Sequence, residues 1–107
     1  MRRYDVHYVR LDPAEGSEMA KTRPAVIVSL DALNALLPTV VVCPLTTRQR
    51  PAWRSRIQIK VARKSADVCA EQIRTVSKSR LSRRIGSLAP SEAKALRHLL
   101  SEMYGEP

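Results

Sequence analysis

The chain has 107 residues, which fits a single domain spanning 1–107 with a modest core. Hydrophobic residues make up 44% and charged residues 27%, a globular balance that excludes a disordered chain, and no apolar run approaches the roughly 18 residues of a membrane span. Nineteen Lys and Arg against ten Asp and Glu leave a net charge of +9, which points to a polyanionic partner such as nucleic acid, or to an acidic protein.

Asp5 to Leu11 is predicted to be a strand, with Val6, Tyr8, Val9 and Leu11 as its apolar content. Turn chemistry follows in Asp12-Pro13-Ala14-Glu15-Gly16-Ser17, and the loop extends to about Thr22. Pro24 to Ser29 is a β-branched run whose proline can open a strand, where a ladder donor is dispensable. Asp31 to Leu37 reads as one helical turn stopped by Pro38. Thr39 to Leu45 is the most apolar strand and the predicted centre of the sheet. Thr46 to Arg54 has no apolar periodicity and reads as a loop. Arg56 to Val61 alternates cleanly, so one face is exposed. Val68 to Val76 alternates less cleanly, and Leu81 to Leu88 offers a last short strand. Pro90 then opens a helix with Ala93, Leu96, Leu99, Leu100 and Met103 along one stripe, ending near Gly105. Five or six strands and a terminal helix describe a mainly β protein, a small twisted barrel closed by that helix.

The basic charge is clustered. Arg48 to Lys64 holds seven cations and no acid, and a second acid-free stretch after Glu71 holds Arg74, Lys78, Arg80, Arg83 and Arg84. Fourteen of the nineteen cations are Arg, the side chain whose planar fork suits phosphate. Trp53 lies inside the first cluster, placed either to stack on a base or to pack as a lid. Cys43 and Cys69 with His7 and His98 show no metal-like spacing, so buried free thiols, with a Cys43–Cys69 bridge as the alternative, and no metal or other cofactor are expected. No Gly-rich phosphate loop and no trusted Ser-His-Asp order is present. With no apolar leader behind Met1 to Asp5, a cytoplasmic protein with no membrane attachment is expected.

Four ordered pieces carry a family likeness. Leu11-Asp12-Pro13 with Gly16-Ser17-Glu18, then Arg23-Pro24-Ala25-Val26-Ile27-Val28-Ser29, resemble the opening of the MazF/PemK toxin endoribonucleases. Pro44-Leu45-Thr46-Thr47 resembles that family's third-strand motif. Glu71-Gln72-Ile73-Arg74-Thr75-Val76, with Lys78-Ser79-Arg80-Leu81 and Ile85-Gly86, resembles its late signature. The resemblance implies an SH3-like barrel of the CcdB/PemK type, with five to seven short strands and a C-terminal helix. It also implies a homodimer, a single-stranded RNA substrate cut without a metal, and inhibition by an acidic antitoxin.

Residue by residue, the resemblance puts Arg23 on the catalytic arginine, Thr46 on the catalytic hydroxyl and Glu18 on an acid near the active site. It assigns RNA contacts to Ser17, Thr47, Arg48, Arg50, Trp53, Arg54, Glu71, Gln72 and Arg74, with the loop from Thr47 to Arg56 shaping substrate choice. On the residues alone, Arg23 reads first as an ion-pair partner for Glu18 across a loop, and Thr46 as a strand end. The implied reaction is attack of the RNA 2′-OH on the adjacent phosphorus, leaving a 2′,3′-cyclic phosphate and a 5′-OH. A small barrel also needs apolar strand surface covered, so a two-fold dimer is expected with Pro44, Leu45 and the terminal helix near the contact. Two departures stand out: Arg3-Tyr4-Asp5 replaces the usual Arg-Gly-Asp, and the loop from Glu18 to Thr22 lacks the common glycine. The alternatives are a CcdB-like toxin that binds DNA gyrase and a plain nucleic-acid-binding barrel.

Overall fold

Strands β1 (Asp5–Arg10) and β2 (Thr22–Ile27), helix α1 (Asp31–Leu36), strands β3 (Thr39–Thr46), β4 (Arg56–Val61), β5 (Lys64–Cys69), β6 (Arg74–Ser77) and β7 (Leu81–Ser87), and helix α2 (Pro90–Tyr104) follow one another in a computed structural model that describes residues 1–107. All strand pairs are antiparallel, in the order β4-β5-β3-β2-β1-β7, with β6 also on β3. The central place predicted for Thr39 to Leu45 holds. Pro44 pairs with Ala25, Val40 with Val76 and Leu45 with Val68, so β3 meets three neighbours.

Alternation sends side chains to two separate cores. Val6, Val26, Cys43 and Leu45 join the core beneath α2, while Val9, Ala25, Ile27, Val40 and Val42 fill a second core on the opposite face. A strand buried on both faces shows an unbroken apolar run, which is why β2 and β3 read as they do. β4 is covered on one face only, with Ile59 and Val61 buried and Gln58 and Lys60 exposed. Helix α2 buries Ala93, Leu96 and Leu99, the stripe expected of it. Ala89 has no capping oxygen, and Glu92 supplies what the helix start lacks. Its Oε1 accepts the Ala89 N–H at 2.8 Å and its Oε2 the Lys60 N–H at 2.8 Å, tying α2 to β4. Where the end strands meet, a Cβ on Gly86 of β7 would lie 2.8 Å from Val61 Cγ2 of β4, and there the sheet curls into a half-barrel.

Two expectations meet a different arrangement, and one turn was not anticipated. The segment from Val68 to Val76 is two strands, not one. β5 begins at Lys64 and turns straight off β4 through Ala62 and Arg63, and a 3-10 turn at Ala70–Gln72 leads into β6. Ala62 and Arg63 have φ of 50° and 64°, a primed hairpin turn that normally advertises itself by Asn-Gly and here does not. Pro44 and Leu45, expected near a dimer contact, have their side chains buried inside the protomer. Exposed leucines cluster at α1, where Leu33 is 45% and Leu36 78% exposed, flanked by Leu30 and Leu37, and Tyr104 at the end of α2 is exposed as well.

Tyr4 has a φ of 71° at the position where the family pattern has glycine. Its ring packs against the core below Arg3, 4.9 Å away, and Arg97, 5.8 Å away, contacts that work against the left-handed strain. Both cysteines are buried and free. Burial pushes the Cys43 thiol up to about 12 and the Cys69 thiol to about 11, so neither is a ready thiolate. No helix is long and apolar enough to cross a membrane.

Candidate active groove

The groove forms where buried strands run out at the rim of the sheet. On β2, Ala25, Val26 and Ile27 are buried, and the chain emerges into solvent through Pro24, Arg23 and Thr22. On β3, the buried Leu45 is followed by the half-exposed Thr46. Arg23 and Thr46 thereby line one cavity of about 470 Å³, with Leu45, Val61 and Ile85 among its apolar walls. Lys21, Lys64 and Arg83 add three more cations to its lining, and no carboxylate lines it.

The two motif residues are held in usable states. Arg23 Nε donates to the Ala20 carbonyl at 3.1 Å, which fixes the stem of the guanidinium. No acid pairs with Arg23; Glu18 in particular does not. Thr46 Oγ1 accepts the Arg48 N–H at 3.2 Å, so its hydroxyl proton remains available to an acceptor in the groove. His7 is buried with Nδ1 against the Ser82 carbonyl at 3.0 Å, and His98 is exposed on α2; neither lines the groove.

The loop from Thr47 to Ser55 is fastened from below. Asp67 is fully buried and is the cross-strand partner of Thr46. Its carboxylate accepts the Arg50 N–H at 2.6 Å, Gln58 Nε2 at 2.8 Å and Arg56 Nη1 at 3.1 Å. Burial pushes this carboxyl up, but the hydrogen bonds from Gln58, the Arg50 amide and Arg56 outweigh it and hold it below the usual range. Arg56 turns the rest of its fork to Glu71, Nη2 to Oε2 at 2.7 Å, and Ser55 Oγ donates to Glu71 Oε1 at 2.8 Å. Glu71 is likewise pushed up by burial and brought below its ordinary value by Arg56 and Ser55.

Of the residues expected to touch RNA, only Thr47 lines the groove. Arg48 and Arg50 sit on the adjoining loop. Trp53, 49% exposed, has the guanidinium carbons of Arg56 and Arg50 over its ring, 4.6 and 5.7 Å from the centroid, so the ring is engaged within the protein. Arg54 turns away to pair with Glu102 of α2. Glu71 is consumed by Arg56 and Ser55. Gln72 Oε1 accepts the Met19 N–H at 3.3 Å, and Arg74 Nη1 donates to the Leu11 carbonyl at 3.1 Å, so both hold the β1–β2 loop. Ser17 and Glu18 sit exposed at that loop's tip, outside the groove lining. Glu18 is used locally, its Oε1 accepting the Glu15 N–H at 3.1 Å.

Tyr8, Lys21, Lys64 and Arg83 were not singled out as site residues, although Lys64 and Arg83 belong to the two basic clusters. Asp67 carried a readable signal: an acid inside the apolar run Ala66-Asp67-Val68-Cys69-Ala70 has to be paired. No cluster of three or more His, Cys, Asp and Glu side chains is arranged to hold a metal.

Residues 2–104 match the model of the PemK-like, MazF-like toxins of type II toxin–antitoxin systems. An endoribonuclease MazF of Staphylococcus saprophyticus is 33% identical over 110 aligned residues, covering 98% of this chain and 92% of that one. MazF from Deinococcus radiodurans superposes with a TM-score of 0.87 at 20% identity, covering 99% of this chain and 97% of that one. A mycobacterial endoribonuclease in complex with its cognate antitoxin superposes at 0.84 with 24% identity, covering 100% and 97%.

Proposed function

The chain belongs to the PemK-like, MazF-like toxins of type II toxin–antitoxin systems and is a toxin endoribonuclease; we propose that its reaction runs in the groove lined by Arg23 and Thr46. The observation that carries this placement is the convergence of those two side chains, from different strands, on one cavity whose charged lining is entirely cationic. Single-stranded RNA is the substrate, and it brings its own nucleophile. The 2′-OH attacks the adjacent phosphorus, the 5′-oxygen leaves, and the products carry a 2′,3′-cyclic phosphate and a 5′-OH. Negative charge gathers on the phosphoryl oxygens as the bond forms. The Arg23 fork meets that charge, and the Thr46 hydroxyl donates to a phosphoryl oxygen or orients the attacking group. Since Glu18 lies outside the groove, it is given no part in the reaction.

The partner reading follows from charge and exposed surface. An acidic antitoxin suits the +9 toxin, and the relative captured with its cognate antitoxin supports such a pairing. A homodimer that covers the exposed leucines of α1 suits a protomer with this much unburied apolar surface. The cytoplasm, where RNA and antitoxin are both made, is the compartment this implies. The family assignment favours cleavage over the gyrase-binding and passive-binding alternatives.

The test is incubation with single-stranded RNA in the presence of a chelator, followed by chemical identification of both new ends. Cyclic phosphate and 5′-OH ends are expected. Cleavage of a substrate carrying 2′-deoxyribose only at the cut position would overturn the 2′-OH mechanism.

A further inference from the structure

Tyr8 and Arg83 occupy the part of the groove that the bond-breaking step does not use. Tyr8 shares a face of β1 with Val6 of the main core and stands opposite Pro24, the neighbour of Arg23. Arg83 reaches the same place because β7 is bulged. Val6 pairs with Gly86, His7 with Arg84 and Val9 with Leu81, so β7 carries one extra residue in each interval. Bulges bend a strand and re-aim its side chains, and they concentrate at sheet edges beside active sites. Here the guanidinium carbon of Arg83 lies 5.5 Å from the Tyr8 ring centroid. Ser82 Oγ donates to the Tyr8 carbonyl at 3.2 Å and pins the two strands together at this point.

The chemistry of the pair is specific. Both side chains line the cavity that holds Arg23 and Thr46, and no acid pairs with Arg83. In the strand order β3-β2-β1-β7, Tyr8 is one strand beyond Arg23 and Arg83 is two, and all three line the same cavity, so an RNA whose phosphate meets Arg23 carries a neighbouring nucleotide toward the pair. A planar cation over an aromatic ring and free of any acid extends the stack, since an unstacked base rests on an Arg plane as on an aromatic one, and it tolerates any base because each has a π-face. Lys64 lines the same cavity and supplies a charge for the adjoining phosphate.

We infer that Tyr8 and Arg83 form a stacking subsite for a base of single-stranded RNA next to the cleaved phosphodiester. The inference rests on the nuclease reading and extends it to substrate grip. The probe is a set of labelled single-stranded RNAs, 2′-O-methylated throughout so that no nucleophile is present, shortened one nucleotide at a time from each end. For the wild-type protein one shortening produces a distinct drop in affinity. In Tyr8→Ala that drop disappears and the longer RNA binds about tenfold more weakly, the scale of one base–aromatic stack. Tyr8→Phe keeps the drop. Arg83→Gln, a change at an exposed position, reduces it, and decides the matter alone if circular dichroism shows Tyr8→Ala unfolded. A drop of wild-type size in folded Tyr8→Ala or in Arg83→Gln overturns the subsite, as does a loss in Tyr8→Phe equal to that in Tyr8→Ala. Wild-type protein that cuts no RNA yet shows the drop would refute the nuclease reading and leave the subsite standing.

Discussion

In the proposed reaction Arg23 and Thr46 divide the chemistry between a fixed charge and a movable proton. The guanidinium stem is held by the Ala20 carbonyl, so the fork is aimed before substrate arrives. Arg23→Ala is therefore expected to preserve folding and to lower the cleavage rate by roughly 10²–10³, the scale for one lost transition-state donor. Arg23→Lys restores only part of the rate, because a point charge does not reproduce a planar fork. Thr46→Ser retains most of the rate and Thr46→Ala does not, since the hydroxyl is the working group. Single-turnover cleavage of a defined RNA measures all four. Equal rates for Thr46→Ala and the wild type would remove Thr46 from the reaction.

Loops and turns set the shape of the groove, and two of them lend themselves to measurement. The β4–β5 turn places Ala62 and Arg63 in the left-handed region, where a residue with a Cβ is strained by about 1–2 kcal/mol. Replacing the pair with Asn-Gly is expected to stabilise the protein by about 1–2 kcal/mol, read as a higher urea midpoint at constant slope. The β3–β4 loop depends on Asp67 and Glu71, whose carboxyls are held below their ordinary range. In acid the unfolded chain takes up protons before the folded one does, so the stability from these groups is complete above about pH 4, the ordinary carboxylate pKa, and is lost as pH falls through the lowered folded values. Urea titrations from about pH 6 downward should show that loss, with a shallower acid limb in Asp67→Asn. At neutral pH, breaking a buried pair of this kind costs about 3 kcal/mol. An acid limb identical to that of the wild type would show that Asp67 does not drive the transition.

Charge and oligomeric state belong to the assembled toxin. On the loop beside Thr46, Arg48 is exposed and Arg50 is half-buried with its guanidinium over the Trp53 ring. If both meet phosphates, changing the pair to Ala should reduce the slope of log affinity against log salt by about 1.4, at roughly 0.7 per phosphate contact on a single strand. An unchanged slope excludes them from the RNA path. Leu33 and Leu36 stand out as the exposed apolar residues of a helix only six residues long. Sedimentation should find a dimer at micromolar concentration and a monomer for Leu33→Asp/Leu36→Asp. A dimer unaffected by those changes would locate the contact elsewhere.

Periodicity in the chain carried the central strand, the half-exposed β4 and the stripe of α2, because each is a local pattern that burial imposes directly on the residue order. The ordered motifs likewise single out Arg23 and Thr46, which lie 23 positions apart in the chain and line one cavity in the fold. The β4–β5 turn was not legible, because Ala62 and Arg63 hold turn geometry without turn residues. Nor were the duties of Glu71, Gln72 and Arg74, which the motif assigns to RNA and the fold spends on Arg56, Met19 and Leu11. A polar side chain goes to whichever partner the fold brings within hydrogen-bonding distance, and a partner 15 to 63 positions away leaves no periodic trace. The same holds for Tyr8 and Arg83, 75 positions apart in the chain, which meet only because the bulges in β7 bring one beside the other.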